Sequence, residues 1–302
     1  MRLIDTHSHI HDPEFDADRD ATIERARAAG VELILTLGVD AANSRLAVAL
    51  AERHECVLAA AGVHPHDAAA ATDADLDALE ELAQHPKVAV VGEIGLDFYR
   101  NLSPRDRQME VLRRQLETAG RVSKPVAIHA RDAHDEMLPM LMAWSREMGG
   151  RLPDGRPLGI MHYFSAGAEL ARGYVGLGFV ISIHTSVTHP KASQLAEVAR
   201  EIPLEHLVIE TDSPYGAPQR YRGKRNEPAY VAEAAAKIAE LKGISVDDVA
   251  EATTRTAERL LNRSAPLDRG ASLDRGASLD RGAGFQPAKP GTGSPIGGRS
   301  ER

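Results

Sequence analysis

Short apolar runs recur along the first 263 residues, and segments with a helical spacing of apolar positions separate most of them. In one such segment the apolar positions Met109, Leu112, Leu116 and Ala119 recur every three or four residues, which predicts a helix with one buried face. We predict strands at eight runs: 3–4, 33–37, 57–61, 88–91, 126–128, 159–161, 180–183 and 207–209. Eight strands alternating with helices in about 250 residues are typical of an α/β fold, the (β/α)8 TIM barrel.

Residues that favour helix ends support this division. Ser103, before Pro104, and Ser245 are suited to capping the first turn of a helix, whereas Gly30 and Gly243 are suited to helix carboxyl ends. Segment 167–178 is the weakest strand–helix unit, because it leaves little room for a helix.

The pattern changes from residue 264 onward. Leu-Asp-Arg-Gly-Ala units begin at Leu267, Leu273 and Leu279, the first two ending in Ser and the third in Gly, and a segment rich in Gly, Pro and Ser follows. One leucine in six residues buries too little surface to offset the cost of ordering the chain. We therefore predict one barrel domain over 1–263 and a disordered, low-complexity tail over 264–302.

Composition bears on three questions: nucleic-acid binding, cysteine chemistry and membrane association. The chain has 302 residues, 43% of them hydrophobic, and a net charge of −8, so any nucleic-acid ligand requires a local basic patch. Cys56 is the single cysteine, which excludes an internal disulfide and a thiolate zinc site. The sequence shows no long apolar run and no secretory leader, so we expect a cytoplasmic protein without a membrane partner.

Side chains capable of chemistry follow nearly every predicted strand. In a parallel barrel the carboxyl ends of all strands meet at one mouth, so residues distant in sequence converge there. The residues at these positions are His7, His9, His64, His66, Glu93, His129, His162 and Asp212.

Part of this set is typical of a metal site with nitrogen and oxygen ligands. His7 and His9 lie two residues apart on a strand and share one face, and Glu93 is a carboxylate that would be costly to bury without a cation. Solvated histidines and an ion pair between Glu93 and Arg131 are the alternatives. Packing does not explain four histidines and two carboxylates at strand ends, so the set as a whole indicates a metal site. Its members are His7, His9, His129, His162, Glu93 and Asp212.

Three further polar residues near these strand ends receive structural roles. We expect His11 to be an ordinary loop histidine and Asp97 a loop or capping residue. Glu210 and Asp212 fall on one strand face, and Asp212 is nearer the carboxyl end. We therefore assign Asp212 to the site and Glu210 to an ion pair behind it.

The basic segment 220–226 is the candidate for phosphate binding. It carries four positive charges in seven residues directly after the Asp212 strand, although such a segment is often only a solvated loop. Tyrosines beside it are candidates for base stacking. The candidate substrate contacts are His64, His66, Arg131, Tyr215, Arg220, Tyr221, Arg222 and Lys224.

Six sequence blocks then resemble a known family. They are Asp-Thr-His-Ser-His at 5–9, Gly-Val-His-Pro-His at 62–66, Val-Gly-Glu-Ile-Gly-Leu-Asp at 91–97, Ile-His-Ala-Arg-Asp at 128–132, Glu-Thr-Asp-Ser-Pro-Tyr at 210–215 and Arg-Gly-Lys-Arg-Asn-Glu-Pro-Ala-Tyr at 222–230. Their order and spacing resemble the TatD family of metal-dependent hydrolases across essentially all of 1–263.

The resemblance implies a barrel of the amidohydrolase type with two divalent cations, Mg, Mn or Zn, and an activity as a deoxyribonuclease, often exonucleolytic. By motif, His7, His9 and Asp212 bind one ion, while His129 and His162 bind the other and Glu93 bridges the two. Glu93 and Asp212 are then the catalytic residues, with Asp212 orienting or deprotonating the attacking water. We expect a nucleic-acid substrate, DNA in the first place with tRNA as a possibility, and a monomer.

The chain departs from the family pattern at three positions. His11 stands where Asp is usual, Tyr163 where Cys is common and Thr256 where Asn is usual. None of these is a proposed metal ligand, so the departures bear on substrate preference and fine geometry.

Two other functions remain open. The first is a D-aminoacyl-tRNA deacylase or another metal-dependent ester or amide hydrolase, although Glu93 stands where classical amidohydrolases carry a modified lysine. The second is a non-catalytic nucleic-acid-binding scaffold. The scaffold would be marked by a missing ligand, and all six are present.

Overall fold

Eight parallel strands form one sheet in which each strand pairs with the next along the chain. The computed structural model describes residues 1–263. The strands are β1 (Leu3–Ser8), β2 (Val31–Leu37), β3 (Val57–Ala61), β4 (Val88–Asp97), β5 (Val126–Arg131), β6 (Gly159–His162), β7 (Phe179–His184) and β8 (Leu207–Glu210).

Hydrogen bonds between the first and last strand regions close the sheet into a barrel. The Thr6 hydroxyl donates to the Ile209 carbonyl at 3.0 Å, and the Asp212 amide donates to the His7 carbonyl at 2.9 Å. The (β/α)8 TIM barrel is therefore confirmed.

Helices alternate with these strands and bury their apolar faces against them. They are α1 (Arg19–Ala28), α2 (Ala41–Arg53), α3 (Asp73–Ala83), α4 (Arg105–Val122), α5 (His134–Glu147), α6 (Ala168–Gly176), α7 (Ser193–Glu201), α8 (Val231–Lys242) and α9 (Val246–Leu260).

The eight strands lie where the apolar runs predict them, but most extend further. β1 continues to Ser8 and β4 to Asp97, well past the apolar residues that mark them in the sequence. The extensions carry polar residues, which apolar periodicity does not detect. These extensions bring functional side chains to the mouth of the barrel.

The predicted helix ends are right in part. The Ser245 hydroxyl accepts a hydrogen bond from the Asp248 amide at 3.1 Å, and Gly243 ends α8 with a left-handed φ of 67°. Ser103 does not cap α4, because its hydroxyl instead donates to the His66 carbonyl at 2.8 Å.

Segment 167–178, the weakest strand–helix unit in the sequence, does contain a helix. The helix Ala168–Gly176 begins directly after Gly167 and has nine residues. Gly178, with a φ of 97°, then turns the chain into β7.

Apolar side chains fill the interior of the barrel. Leu260 and Leu261, from the end of α9, pack against this interior cluster. Each strand contributes to it, through Ile4, Leu35, Leu58, Val90, Ala127, Ile160, Val180 and Val208. Since the interior is filled with apolar side chains, polar chemistry is placed at the carboxyl ends of the strands.

The predicted tail over 264–302 lies outside the described residues. Among residues 1–263, no helix is both long and apolar enough to cross a bilayer.

Candidate metal centre

Glu93 lies at the centre of the converging polar side chains. It is only 3% exposed, and its Oε2 is 3.2 Å from the Nε2 of His7 and 3.7 Å from that of His9. Its Oε1 faces other imidazoles, at 3.0 Å from His129 Nδ1, 3.5 Å from His64 Nε2 and 3.6 Å from His162 Nε2. The two oxygens of one carboxylate thus face two separate groups of histidines.

Asp212 lies on the outer side of this group, just beyond β8. Its Oδ1 is 3.6 Å from His9 Nε2 and 3.8 Å from the Nε2 atoms of both His7 and His162. Its side chain is 15% exposed, against 4% for that of Glu93. Asp212 is therefore the carboxylate of the pair that is more open to the mouth.

The donor atoms have the spacing that a shared cation requires. His7 and His9 Nε2 lie 3.3 Å apart, and two ligands at normal zinc–nitrogen lengths are separated by about 3.4 Å at the tetrahedral angle. Three groups have all their donor atoms within 4.8 Å of one another: His7 with His9 and Asp212, His7 with Glu93 and His162, and His64 with Glu93 and His129. This set of nitrogen and oxygen donors fits divalent metals.

His64 is an addition to the sequence-based ligand set. The sequence assigns His64 to substrate contact, whereas the structure places it with Glu93 and His129. Its position directly after β3, in Gly-Val-His-Pro-His, matches that of the other ligands and is the signal that could have identified it.

The electrostatics of the site favour positive charge. Burial alone lowers the pKa of His9, but Asp212 and Glu93 outweigh it and raise this pKa to about 9. Burial likewise lowers the pKa of His129, and Asp97 and Glu93 raise it to about 9. Burial raises the pKa of Glu93, but its histidine neighbours, His7 first, hold it well below its usual value. Glu93 therefore stays ionised and stabilises a cation.

Partners behind the imidazoles fix their orientation. His9 Nδ1 is 2.9 Å from the Leu37 carbonyl, so its Nε2 faces the site. Glu210 is fully buried, and its Oε1 lies 2.9 Å from His162 Nδ1, so that His162 Nε2 faces Glu93 and Asp212. The predicted position of Glu210 behind the site is confirmed.

Asp97 is part of the site, so its prediction as a loop or capping residue is incomplete. It ends β4, and its Oδ2 is 2.9 Å from His66 Nε2 and 3.1 Å from His129 Nε2, while Oδ1 accepts the Arg100 amide. Asp97 falls four residues after Glu93, on the same strand face. That alternation could have identified it, had the strand been traced past its apolar residues.

We expect Asp97→Asn to lower metal affinity or turnover about 10- to 100-fold, because a carboxylate behind a ligating imidazole fixes the ring and raises its basicity. Metal titration of the purified variant, followed by activity at saturating metal, measures the two effects separately. Affinity and turnover both equal to those of the wild type would show that Asp97 only caps the turn.

Gly95 permits the close approach of β4 and β5 at the site. A Cβ at this position would overlap the backbone carbonyl of His129 on the neighbouring strand. The glycine in Gly-Glu-Ile-Gly therefore lets His129 lie beside Glu93.

The ion pair between Glu93 and Arg131, weighed as an alternative, does not form. The Arg131 guanidinium instead lies 3.9 Å from the centre of the Tyr99 ring, and Arg131 is exposed at the end of β5. The partners of Glu93 are therefore histidines.

A pocket of about 640 Å³ opens from the metal centre to the surface. The predicted substrate contacts His64, His66, Arg131 and Tyr215 line it. Arg100 also lines it and was not identified from the sequence.

The basic segment 220–226 does not line this pocket, so the structure does not bring it together with the other predicted substrate contacts. Its residues find partners elsewhere: Arg225 contacts Asp18 at 2.8 Å, Arg220 lies 3.5 Å from Glu233, and Tyr221 stacks on Tyr230. None of the four predicted contacts in this segment lines the pocket: Arg220, Tyr221, Arg222 and Lys224.

Asn226, from the same segment, holds the loop that carries Asp212. It is fully buried, and its Nδ2 donates to the Thr211 carbonyl at 2.8 Å and to the Tyr215 carbonyl at 2.6 Å. These bonds lie on either side of Asp212.

We expect Asn226→Ala to lower the free energy of unfolding by about 3 kcal/mol, because it leaves buried carbonyls without a donor. Denaturant unfolding of both proteins measures the change. A loss below about 0.5 kcal/mol, the range of neutral surface substitutions, would contradict this role.

The departures from the family pattern do not disturb the ligands. His11 is a hydrogen-bonded loop histidine, as predicted, with its two ring nitrogens 2.7 Å from the Thr36 hydroxyl and 2.8 Å from Asn43 Oδ1. The Tyr163 ring stacks on His184, and the Thr256 hydroxyl donates within α9 to Ala252.

Known proteins are similar to this chain in sequence and in fold. The sequence model described as TatD related DNase matches residues 4–262. The uncharacterized metal-dependent hydrolase YabD of Bacillus subtilis (strain 168) is 41% identical over 258 residues, covering 85% of this chain and 98% of YabD. The 3'-5' ssDNA/RNA exonuclease TatD of Klebsiella pneumoniae (strain 342) is 34% identical, covering 80% and 90%. The crystal structure of YjjV, a TatD homolog from Escherichia coli K12, has a TM-score of 0.80 at 33% identity, covering 87% of this chain and 99% of YjjV.

Proposed function

The chain belongs to the TatD-related DNase family of metal-dependent hydrolases, and from that membership we propose that it is a nuclease that hydrolyses phosphodiester bonds of DNA from a strand end. The observation that carries this proposal is the position of Glu93, whose two oxygens face separate groups of imidazoles. Such a carboxylate suits two divalent ions, Mg, Mn or Zn, side by side.

Each ion has its own ligands in this proposal. His7, His9 and Asp212 would hold one, and Glu93 would contribute to both. Glu93 and His129 hold the other, with His162 and His64 as the further imidazoles in reach of Glu93. The ions supply Lewis acidity and lower the pKa of the attacking water.

The protein's own groups position the substrate and accept the proton. Asp212 is the more open carboxylate, so it is placed to orient the attacking water and to take its proton. Arg100 and Arg131 line the mouth, where their charges suit the phosphates on either side of the scissile bond. DNA is the proposed substrate, and the relative named a 3'-5' ssDNA/RNA exonuclease supports attack at strand ends.

Metal removal tests the proposal. We expect protein treated with a chelator to lose hydrolysis of single-stranded DNA and to regain it when Mg²⁺, Mn²⁺ or Zn²⁺ is added. The candidate metal ligands are nitrogen and oxygen atoms of His, Glu and Asp side chains, which suit these ions. D-aminoacyl-tRNA is assayed in parallel. Restored deacylation without DNA cleavage would assign the same site to ester hydrolysis, and no activity on either substrate would contradict the nuclease.

A further inference from the structure

Four consecutive exposed residues, 99–102, form a rim, and one of them, Arg100, lines the pocket. Tyr99 is 61% exposed and Leu102 62%, although the flanking residues Phe98 and Ser103 are buried. Tyr99 and Leu102 thus expose apolar surface in the same short segment as Arg100, which lines the pocket.

The rim is held in a fixed conformation. The Asp97 carboxylate accepts a hydrogen bond from the Arg100 amide at 2.7 Å, and the Asp97 carbonyl accepts one from the Asn101 amide at 3.2 Å. At the other end, the Ser103 hydroxyl donates to the His66 carbonyl at 2.8 Å. Both anchors, Asp97 and His66, belong to the site, so the rim has a defined position relative to the metal ligands.

Two guanidinium groups accompany the rim and remain available. Arg131 lies against one face of the Tyr99 ring, 3.9 Å from its centre, and Arg100 lines the pocket. Within residues 1–263 neither forms an ion pair with a carboxylate, since the nearby Asp97 is engaged by His66 and His129. Their charges are therefore free for an anionic ligand.

We propose that Tyr99, Arg100 and Arg131 form a subsite for one unpaired nucleotide beside the scissile phosphate. The base stacks on the open face of Tyr99, and the two guanidinium groups bind the adjacent phosphates. This inference rests on the proposed nuclease function and identifies the residues that read the substrate. A base inside a duplex is stacked on its neighbours and presents no free face, so the subsite selects single strands.

Equilibrium binding of a fluorescent single-stranded oligonucleotide tests the subsite. The strand carries phosphorothioate linkages that slow hydrolysis, and the protein carries its metal. We expect Tyr99→Ala to weaken binding of the single strand about tenfold and Tyr99→Trp to retain it, because stacking depends on the flat ring. Binding of the matching duplex should not change in Tyr99→Ala.

The salt dependence separates the two kinds of contact. We expect Arg131→Met to reduce the slope of log affinity against log salt by about 0.7, the value for one phosphate contact on a single strand. Tyr99→Ala should leave the slope unchanged. The matched control for Tyr99→Ala is Leu46→Ala on α2, since Leu46 is 59% exposed and Tyr99 61%. The matched control for Arg131→Met is Arg113→Met, at an exposed arginine on α4.

Failure of the subsite and failure of the nuclease are distinguishable. Equal single-strand binding by the wild type and Tyr99→Ala, or no measurable binding by the wild type, overturns the subsite. Cleavage of the unmodified strand is measured separately. Binding that depends on Tyr99 without any cleavage supports the subsite and contradicts the proposed activity.

Discussion

We expect Glu93→Gln to reduce hydrolysis at least about a thousandfold, which corresponds to the several kcal/mol that bound metal ions contribute to a transition state. The amide has nearly the size of the carboxylate, but it offers one oxygen and no charge. Glu93 faces His7 and His9 with one oxygen and His129 with the other, so both groups of ligands lose their shared partner. Metal analysis and steady-state rates measure the loss.

Surface neutralisation provides the control for this variant. Glu80→Gln removes the same charge from a carboxylate on α3 that pairs with Arg121, far from the pocket lining. It should retain full turnover and metal content. Glu93→Gln protein that is folded by circular dichroism, yet turns over at the wild-type rate, would contradict the role of Glu93 as the shared ligand.

We expect Asp212→Asn to reduce turnover about 10²- to 10⁴-fold, because it removes the carboxylate placed to take the proton of the attacking water. Its effect on metal content should be smaller than that of Glu93→Gln, since His7, His9 and Glu93 remain within reach of a shared ion. Single-turnover rates at saturating metal separate the chemical step from metal loss.

Asp132→Asn is the matched control for Asp212→Asn. Asp132 is exposed directly after β5 and does not line the pocket. Its neutralisation should leave the single-turnover rate unchanged. If Asp212→Asn loses metal as completely as Glu93→Gln, and excess metal restores its rate, then Asp212 serves as a ligand alone.

The convergence of the candidate metal ligands was predictable because it follows from topology. Once eight strands alternate with helices, polar residues at the strand ends converge, so His7, Glu93, His129 and Asp212 could be grouped without a structure. Asp97 was missed for a related reason. Apolar periodicity detects the buried middle of β4 but not its polar continuation, and Asp97 lies at the end of that continuation.

The substrate contacts were less predictable, because loops do not follow the strand direction. The segment 220–226 comes soon after β8 in sequence, yet Arg225 pairs with Asp18 beside α1. Arg100 lies in a short loop with no periodic pattern, and the hydrogen bond from its amide to Asp97 holds it in the pocket lining. Sequence proximity to a strand end therefore predicts candidate metal ligands better than it predicts candidate substrate contacts.

Asp97 connects the rim to the metal centre through its two oxygens. One accepts the Arg100 amide, and the other lies 3.1 Å from His129 Nε2. In the proposed enzyme, a nucleotide bound at the rim and an ion bound at the imidazole therefore act on the same carboxylate. Such a linkage is reciprocal, so the factor by which the strand raises metal affinity equals the factor by which the metal raises strand affinity. In the proposed enzyme, a bound strand would therefore raise the fraction of sites that hold metal at a given metal concentration.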